Sequence, residues 1–408
     1  MDLFQACYDY QEAAIIRAAG IYPYFRVLSA SEGPVVTVGG RQAIMLGSNN
    51  YLGLTHHPEV MAAAHAAIDR FGTGCTGARC LNGNLTIHEE LETELAAFLG
   101  KEAALVFASG FLANAGVISV FGNLDGAEVF SEKDNHASII EGTRLCHHKA
   151  RVYEGLDELE TMLSGRECWE HALVVTDAVF SMTGRIADLR RLAELRRRYH
   201  FRLYVDDAHG LGVLGPQGRG TAYEQGVEDS VDISFATFSK SLASLGGFVA
   251  SDAKVIDFLR HKTRTHIFSA ALPPASVAAV RAALRVMQTD TTLLDRLWDN
   301  ARFWRDGLEA AGYCTMGSRT PIVPVFVGSE SLAFRMCHDL LELGAFATPG
   351  VHPAMPYGQA LIRTSTMPTH TRAQLTRALE MFATLRHRYA ITAVDLEHLP
   401  STEQIDFS

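Results

Sequence analysis

Between about residues 56 and 285 the chain alternates short apolar runs with segments of helical pattern. The runs that indicate strands are AALVFAS (103–109), AEVFSE (127–132), HALVVTDAV (171–179) and FRLYVDDAH (201–209). An amphipathic stretch, LRRLAELRRRYH (189–200), lies between the last two and indicates a helix. This spacing predicts an α/β fold with a mostly parallel, doubly wound sheet. Ligands of such sheets bind beyond the carboxyl ends of the strands, so the residues that follow these runs form the candidate site.

A chain of 408 residues, 48% of them hydrophobic, is too long for one ordinary core and predicts a large domain with smaller parts around it. Residues 1–55 are expected to form an N-terminal arm with a helix, and residues 56–288 the large domain. Residues 289–390, which contain the strand-like PIVPVFVG, are expected to form a smaller C-terminal α+β domain. Residues 391–408 are polar and acidic, and we expect a loose tail there.

Charge and cysteine content exclude several classes of protein. The formal net charge of −10 disfavours binding to nucleic acid or to an anionic membrane surface. No run of 18 apolar residues and no signal peptide is found, which favours a cytoplasmic protein without a transmembrane segment. The cysteines are odd in number and form no CxxC pair, which indicates reduced thiols rather than a disulfide or zinc framework and predicts no metal site. They are Cys7, Cys75, Cys80, Cys146, Cys168, Cys314 and Cys337.

The lysine in TFSKSLAS (237–244) has two interpretations. It is either exposed in a turn, or it forms a Schiff base while the neighbouring hydroxyl groups hold a phosphate. The second interpretation gains support from LYVDDAHG (203–210), although paired aspartates at a strand end also serve as turns or helix caps. Pyridoxal 5'-phosphate (PLP) needs a lysine for its aldehyde and an acid facing its pyridine nitrogen. Lys240 and Asp206 are the candidates, with His209 placed to hydrogen-bond the phenolic oxygen.

Other strand ends carry polar groups as well. Ser109 and Gly110 open a predicted helix, whose N-terminal N–H groups are suited to a phosphate, although this motif alone is weak. His136 follows the second strand, where a lone histidine is more often structural. Asp177 and Ser181 follow the third. It is the ordered set of such groups that favours a cofactor site.

In their order and spacing these motifs resemble the α-oxoamine synthases over about residues 20–385. The motifs are NNYLGL, GTGCTGARCLNGNLTIHEELE, SGFLAN, DNHASII, VFSMTG, VDDAHG, TFSKS, SAALPP and LIRTSTMPTHT. The family consists of fold-type I PLP enzymes that join an amino acid to an acyl thioester with loss of carbon dioxide. The resemblance therefore implies a PLP-dependent acyltransferase whose substrates are an amino acid and an acyl-CoA or acyl carrier protein thioester. It also implies a homodimer with its sites at the interface.

The resemblance assigns roles residue by residue. It implies that Lys240 is the Schiff-base lysine and proton-transfer base, that Asp206 pairs with the pyridinium nitrogen and that His209 contacts the phenolic oxygen. His136 is implied to stack on the ring, and Ser181 to lie near it. The residues implied to lie at the cofactor, mostly near its phosphate, are Ser109, Gly110, Phe111, Thr237, Ser239 and, from the neighbouring subunit, Ser269. The residues implied to hold the amino acid are Asn50 and Arg363, the latter on its carboxylate.

The chain departs from the family pattern at Thr183, where an acid is usual, at Arg185, where a second acid is often found, and at Asp177, where a glutamate is usual. The family divides by amino acid and acyl donor. TFSKSLAS, TGARCLNG and MPTHT favour the branch that uses L-serine and a long-chain acyl thioester. The branch that uses L-alanine and pimeloyl thioester is the alternative, together with other synthases. An aminotransferase, or a catalytically inactive partner subunit, is favoured less, the latter because Lys240 is present.

Overall fold

The apolar runs of the sequence form strands in a computed structural model of the protein, which describes residues 2–166 and 168–391. The strands are β1 (Leu28–Glu32), β2 (Val35–Val38), β3 (Arg41–Met45), β4 (Ala103–Phe107), β5 (Glu128–Glu132), β6 (Arg151–Tyr153), β7 (Ala172–Asp177), β8 (Arg202–Asp206), β9 (Ile233–Thr237), β10 (Gly247–Ser251), β11 (Ile322–Gly328), β12 (Ala345–Phe346), β13 (Thr348–Gly350) and β14 (Ala360–Ser365). The four strands predicted by the runs correspond to β4, β5, β7 and β8.

Helices connect most of these strands. They are α1 (Gln5–Asp9), α2 (Glu12–Ala18), α3 (Pro58–Phe71), α4 (Thr86–Phe98), α5 (Gly110–Gly122), α6 (Ala137–Arg144), α7 (Leu156–Leu163), α8 (Leu189–Tyr199), α9 (Thr221–Gln225), α10 (Ala253–Lys262), α11 (Arg264–Ile267), α12 (Pro274–Thr289), α13 (Thr292–Ala310), α14 (Glu330–Leu343) and α15 (Arg372–Arg388), with 3₁₀ turns at Leu54–His56, Pro216–Gly218 and Glu228–Ser230. The helix predicted over 189–200 is α8. The Asp188 carboxylate caps it by accepting a bond from the N–H of Arg191, and His200 ends it in the left-handed conformation.

The central unit, Asn49–Trp298, is built on a sheet with the strand order β4-β10-β9-β8-β7-β5-β6. Neighbouring strands are parallel except at β10, which runs antiparallel to β4 and to β9. The predicted mostly parallel sheet is confirmed. Its parallel strands direct their carboxyl ends to one edge, where the polar groups identified in the sequence follow them.

Both faces of this sheet are covered by helices. In β7, Leu173 and Val175 share one core cluster with Val117 of α5, whereas Val174 shares another with Leu192 of α8. Because successive side chains of a strand point to opposite faces, both faces of β7 are apolar and buried. This accounts for the uninterrupted apolar run in the sequence.

The terminal unit consists of the residues up to Ser48 together with those from Asp299 onward. Its sheets have the strand orders β1-β2-β3-β12 and β11-β14-β13. Because β12 pairs in parallel with β3, residues of the predicted N-terminal arm join C-terminal ones. The unit boundaries follow residues 48 and 298, whereas the sequence placed domain boundaries after residues 55 and 288. The predicted tail, 391–408, lies outside the described residues except for its first residue.

Membrane-crossing helices were sought in the described part of the chain. No helix there combines the length and the apolar composition needed to cross a bilayer.

Candidate active site

A cavity of about 260 Å³ lies at the carboxyl edge of the central sheet. Most residues predicted for the cofactor meet there, although they come from different strand ends. The cavity is lined by Ser109, Gly110, Phe111, Asn114, His136, Ser138, Asp177, Ser181, Asp206, Ala208, His209, Phe235, Thr237, Ser239, Lys240, Leu245 and Gly246. The structure therefore brings together a lysine, acids, histidines and hydroxyl groups, as the ordered motifs predicted.

Lys240 lies in the tight loop between β9 and β10. Backbone bonds close this loop: the N–H of Phe238 donates to the carbonyl of Gly246, and that of Ser244 to the carbonyl of Phe238, both at 2.9 Å. Gly246 has φ 114°, and a Cβ there would lie 2.8 Å from the Phe238 ring. These contacts fix the backbone of the loop, and Lys240 lines the cavity, which argues against an ordinary exposed turn.

Helix α5 begins at the cavity, with Ser109 as its N-cap. The Ser109 hydroxyl accepts a hydrogen bond from the N–H of Leu112 at 3.2 Å. A Cβ at Gly110 would lie 2.9 Å from Thr237 Oγ1, so only glycine lets the helix start approach the end of β9 this closely. The Thr237 and Ser239 hydroxyls are 3.0 Å apart. A helix N-terminus beside paired hydroxyls is suited to a phosphate.

Asp206 and Asp207 point in different directions at the end of β8. The Asp207 carboxylate accepts bonds from the N–H and hydroxyl of Thr221, both at 2.6 Å, and burial raises its pKa to about 6. Asp206 lines the cavity, where its Oδ1 accepts a bond from the N–H of Ala208 at 3.0 Å. Burial raises the pKa of Asp206, and the Lys240 ammonium and the bond from Asn114 oppose that rise.

Asn114 is a site residue that the sequence reasoning missed. Its Nδ2 donates to Asp206 Oδ2 at 2.7 Å and to the Ser138 hydroxyl at 2.9 Å, while its Oδ1 accepts from the Tyr204 hydroxyl at 2.7 Å. Only 1% of Asn114 is exposed. An asparagine inside the otherwise apolar first turns of α5 was the available signal. The network fixes the orientation of the Asp206 carboxylate.

His136 is held from both sides at the start of α6. Its backbone N–H donates to Asp177 Oδ2 at 2.9 Å, and its ring Nδ1 lies 2.7 Å from the Ser138 hydroxyl. Burial lowers the pKa of His136, which favours the neutral imidazole. Burial and the neighbouring Asp206 raise the pKa of Asp177 well above its usual range. The shorter Asp177, unusual for the family, thus still reaches the backbone that carries His136.

His209 contacts a second residue that the sequence reasoning missed. The Tyr51 hydroxyl lies 2.7 Å from His209 Nδ1, and both side chains are buried. Asn50, the residue predicted to bind substrate, precedes Tyr51 in the chain. The Nδ2 of Asn50 donates to the Thr55 hydroxyl at 2.9 Å. The tyrosine stood in the motif NNYLGL, but nothing in the sequence indicated its partner 158 positions away.

Three predicted residues, Asn50, Ser269 and Arg363, are not among those that line this cavity. Ser269 follows α11 and lines another cavity of the central unit, together with Arg79 and His266. Arg363 belongs to the terminal unit, where it lies in β14 opposite Pro324 and Thr348 and is 5% exposed. Their roles at a neighbouring subunit and at the substrate stay predictions.

Comparisons with known proteins found relatives in sequence and in structure. A family model described as aminotransferase class I and II matches residues 41–382. A serine palmitoyltransferase of Bacteriovorax stolpii is 46% identical over 91% of this chain and 89% of its own length. An 8-amino-7-oxononanoate synthase of Thermoanaerobacter pseudethanolicus is 40% identical over 90% and 93%. A solved serine palmitoyltransferase from S. paucimobilis, with a bound PLP–myriocin aldimine, has a TM-score of 0.90 at 33% identity and covers 96% of this chain and 100% of that one.

Proposed function

The chain belongs to the α-oxoamine synthases, within the class I and II aminotransferase family, and on this premise we propose a PLP-dependent decarboxylative condensation of L-serine with a long-chain acyl thioester. The products are 3-ketodihydrosphingosine, carbon dioxide and the free thiol. The observation that carries the proposal is the cavity in which Lys240, Asp206 and His136 meet beside the N-terminus of α5.

The residues present fit PLP. The start of α5 and the Thr237 and Ser239 hydroxyls suit its phosphate, and Gly110 lets the helix N-terminus lie close to Thr237. Lys240 is placed for its aldehyde and Asp206 for its pyridine nitrogen. When bound, PLP supplies an electron sink for the negative charge that develops on the α-carbon of the amino acid.

Asp206 and His136 prepare the ring site. The Asp206 carboxylate would balance a proton on the ring nitrogen, and the bond from Asn114 helps to keep this buried carboxyl ionised. His136, neutral because burial lowers its pKa, offers a flat face without adding a charge. His209, oriented by Tyr51, is placed to donate to the phenolic oxygen.

Lys240 acts as the general base in this proposal. Once the amino acid is bound, the Lys240 amine takes the proton from the α-carbon, a transfer that proximity in the enclosed cavity favours. Arg363 is proposed to hold the substrate carboxylate and Asn50 to assist. Ser269 is proposed to reach the phosphate site of the neighbouring subunit in a cytosolic homodimer. These assignments rest on the family resemblance.

Acyl specificity arises in this proposal from apolar burial, at about 0.8 kcal/mol for each buried CH₂. The value of kcat/KM should therefore rise with acyl length and level off near palmitoyl. The alternative is condensation of L-alanine with pimeloyl thioester, which the 40% identity to an 8-amino-7-oxononanoate synthase keeps open.

A substrate screen tests the reaction. Thiol release is measured for serine, alanine and glycine against acyl-CoA donors of increasing length, with carbon dioxide and keto acids quantified. Serine with a long acyl chain is expected to give the highest kcat/KM. A clear preference for alanine with pimeloyl thioester would assign the protein to the alternative reaction. In a parallel assay of each amino acid with an added keto acid as amino-group acceptor, formation of a new keto acid without thiol release in the screen would indicate an aminotransferase.

Lys240→Ala tests the cofactor site independently of the substrates. In the wild type, borohydride should fix the cofactor to the protein, with the corresponding mass increase. The variant should show no such increase. A borohydride-reducible link that persists in Lys240→Ala would refute the assignment of this lysine.

A further inference from the structure

The residues that follow β7 form a closed loop that carries Ser181 into the cavity. Val179 and Ile186 pair as an antiparallel bridge at its base. The N–H of Phe180 donates to the carbonyl of Arg185, and the N–H of Gly184 to the carbonyl of Phe180, both at 2.9 Å. The backbone thus sets the internal shape of the loop, but these bonds do not tie it to the neighbouring strand β5.

Arg185 makes that connection. Its Nη2 donates to Glu132 Oε1 at 2.6 Å and lies 3.4 Å from an oxygen of Asp134. Its guanidinium also stacks on Phe180, 3.7 Å from the ring centroid. Glu132 ends β5, and the chain reaches His136 directly afterwards. One side chain therefore links the loop that carries Ser181 to the segment that carries His136.

This contact lies between a buried ion pair and an exposed one, because the Glu132 side chain is buried whereas that of Arg185 is 46% exposed. The Glu132 side chain is 7% exposed, and its second oxygen accepts a bond from the Thr176 hydroxyl at 2.9 Å. A buried carboxylate that loses its cation is left uncompensated, which costs far more than breaking an exposed pair. The loop is therefore held where Arg185 can reach Glu132.

The charges also indicate what Arg185 does not do. Its guanidinium faces two carboxylates, those of Glu132 and Asp134, so the cluster has no surplus positive charge to offer an anionic ligand. The planar guanidinium instead stacks on Phe180 and donates a directed bond to Glu132, and both contacts fix the position of the loop.

We propose that Arg185 is a positioning residue, which sets Ser181 against the bound cofactor by fastening the 179–186 loop to the end of β5. The inference rests on the proposed PLP site. It gives a role to a position where the family often has an acid, and it requires the Arg185 guanidinium and the Glu132 carboxylate to act together.

The experiment measures the dissociation constant and absorbance spectrum of bound PLP in Arg185→Ala, Arg185→Lys, Ser181→Ala and the Arg185→Ala/Ser181→Ala double variant. Arg166→Ala is the matched control. Arg166 pairs with Glu128 at the other end of β5 and stacks 4.4 Å from the centroid of the Trp169 ring, but it does not line the cavity. Thermal unfolding of each variant reports the purely structural effect.

Arg185→Ala is expected to weaken PLP binding about tenfold, equivalent to about 1.4 kcal/mol, and to alter the spectrum of the bound cofactor. Arg185→Lys keeps the charge but not the planar stack, and should recover about half of that loss on a logarithmic scale. If Arg185 acts through Ser181, the two substitutions affect the same interaction. The double variant should then bind PLP no more weakly than whichever single variant binds it more weakly. Arg166→Ala should bind PLP as the wild type does.

The inference is overturned if Arg185→Ala and Arg166→Ala lower the unfolding temperature alike while both bind PLP within about twofold of the wild type. Multiplicative effects in the double variant would also overturn it. If Arg185→Ala does not fold, the same comparison is made with Arg185→Lys. A wild-type protein that binds no PLP would refute the proposed function instead, so the two failures are distinguishable.

Discussion

Asn114→Ala is the substitution that most directly tests how the cavity controls Asp206. It removes the bond to Asp206 Oδ2 at 2.7 Å and leaves the buried Tyr204 hydroxyl without the acceptor that lies 2.7 Å away. Ser138 keeps its contact with His136. The side chain is almost fully buried, so water does not simply replace the lost bonds.

The magnitude follows from the kinds of bond lost. A hydrogen bond to a charged group contributes about 2 kcal/mol, and an unpaired buried hydroxyl costs about 1–3 kcal/mol. The free energy of unfolding should therefore fall by about 3 kcal/mol, of which about 2 kcal/mol bears on the ionised form of Asp206. A loss of 2 kcal/mol in the transition state lowers kcat by about 30-fold.

The pH dependence has a defined sign. Burial raises the pKa of Asp206 and the Asn114 bond opposes this, so removing the bond raises that pKa further. In the proposed function, Asp206 must be ionised to balance a protonated ring nitrogen. The acidic limb of the kcat/KM profile should therefore move to higher pH in the variant.

Asn300→Ala is the control, because Asn300 is also buried and donates two bonds, to the carbonyls of Met367 and His370, but belongs to the terminal unit. Urea unfolding and kcat/KM profiles are measured for both variants. The reasoning fails if Asn114→Ala loses stability as Asn300→Ala does, yet keeps the wild-type kcat and pH profile.

Two further substitutions test the phosphate site and a buried histidine. Gly110→Ala would place a Cβ 2.9 Å from Thr237 Oγ1, so a PLP titration should show binding weakened about tenfold or more, and wild-type affinity would contradict the proposed close approach. His370 accepts a bond from the N–H of Met367 through Nδ1, and burial lowers its pKa to about 4. Between pH 6.5 and 4, His370 therefore binds protons more readily in the unfolded chain than in the folded one. Its contribution to the free energy of unfolding, about 3 kcal/mol, is present above pH 6.5 and lost as the pH falls towards 4. His370→Asn retains an acceptor without titrating, so its melting temperature should fall less from pH 7 to pH 4.5 than that of the wild type; equal falls would show that His370 does not contribute.

Much of the central fold could be predicted because burial on both faces of a sheet leaves a strong pattern. The runs that form β4, β7 and β8 are mostly apolar, β5 carries the apolar pair Val129 and Phe130, and the helix between β7 and β8 is amphipathic. The antiparallel strand β10 (Gly247–Ser251), although fully buried, was not identified. Its short run follows directly on the Lys240 loop, and a five-residue apolar segment does not reveal its direction or its partners.

The sequence by itself determined which polar residues follow the predicted strands, and since parallel strands end at one edge, it predicted that Ser109, His136 and Asp206 meet. Lys240 was added to this set by the chemistry of PLP, and the structure places it in the same cavity. Only the tertiary structure decided how each is held. Asn114 reaches Asp206 across 92 positions, and the Tyr51–His209 and Arg185–Glu132 pairs are similarly remote in the chain. The physical reason is that periodicity records which face of an element avoids water, whereas a hydrogen bond between two elements depends on their register and on side-chain direction. Those quantities are set only when the sheet and its helices pack together.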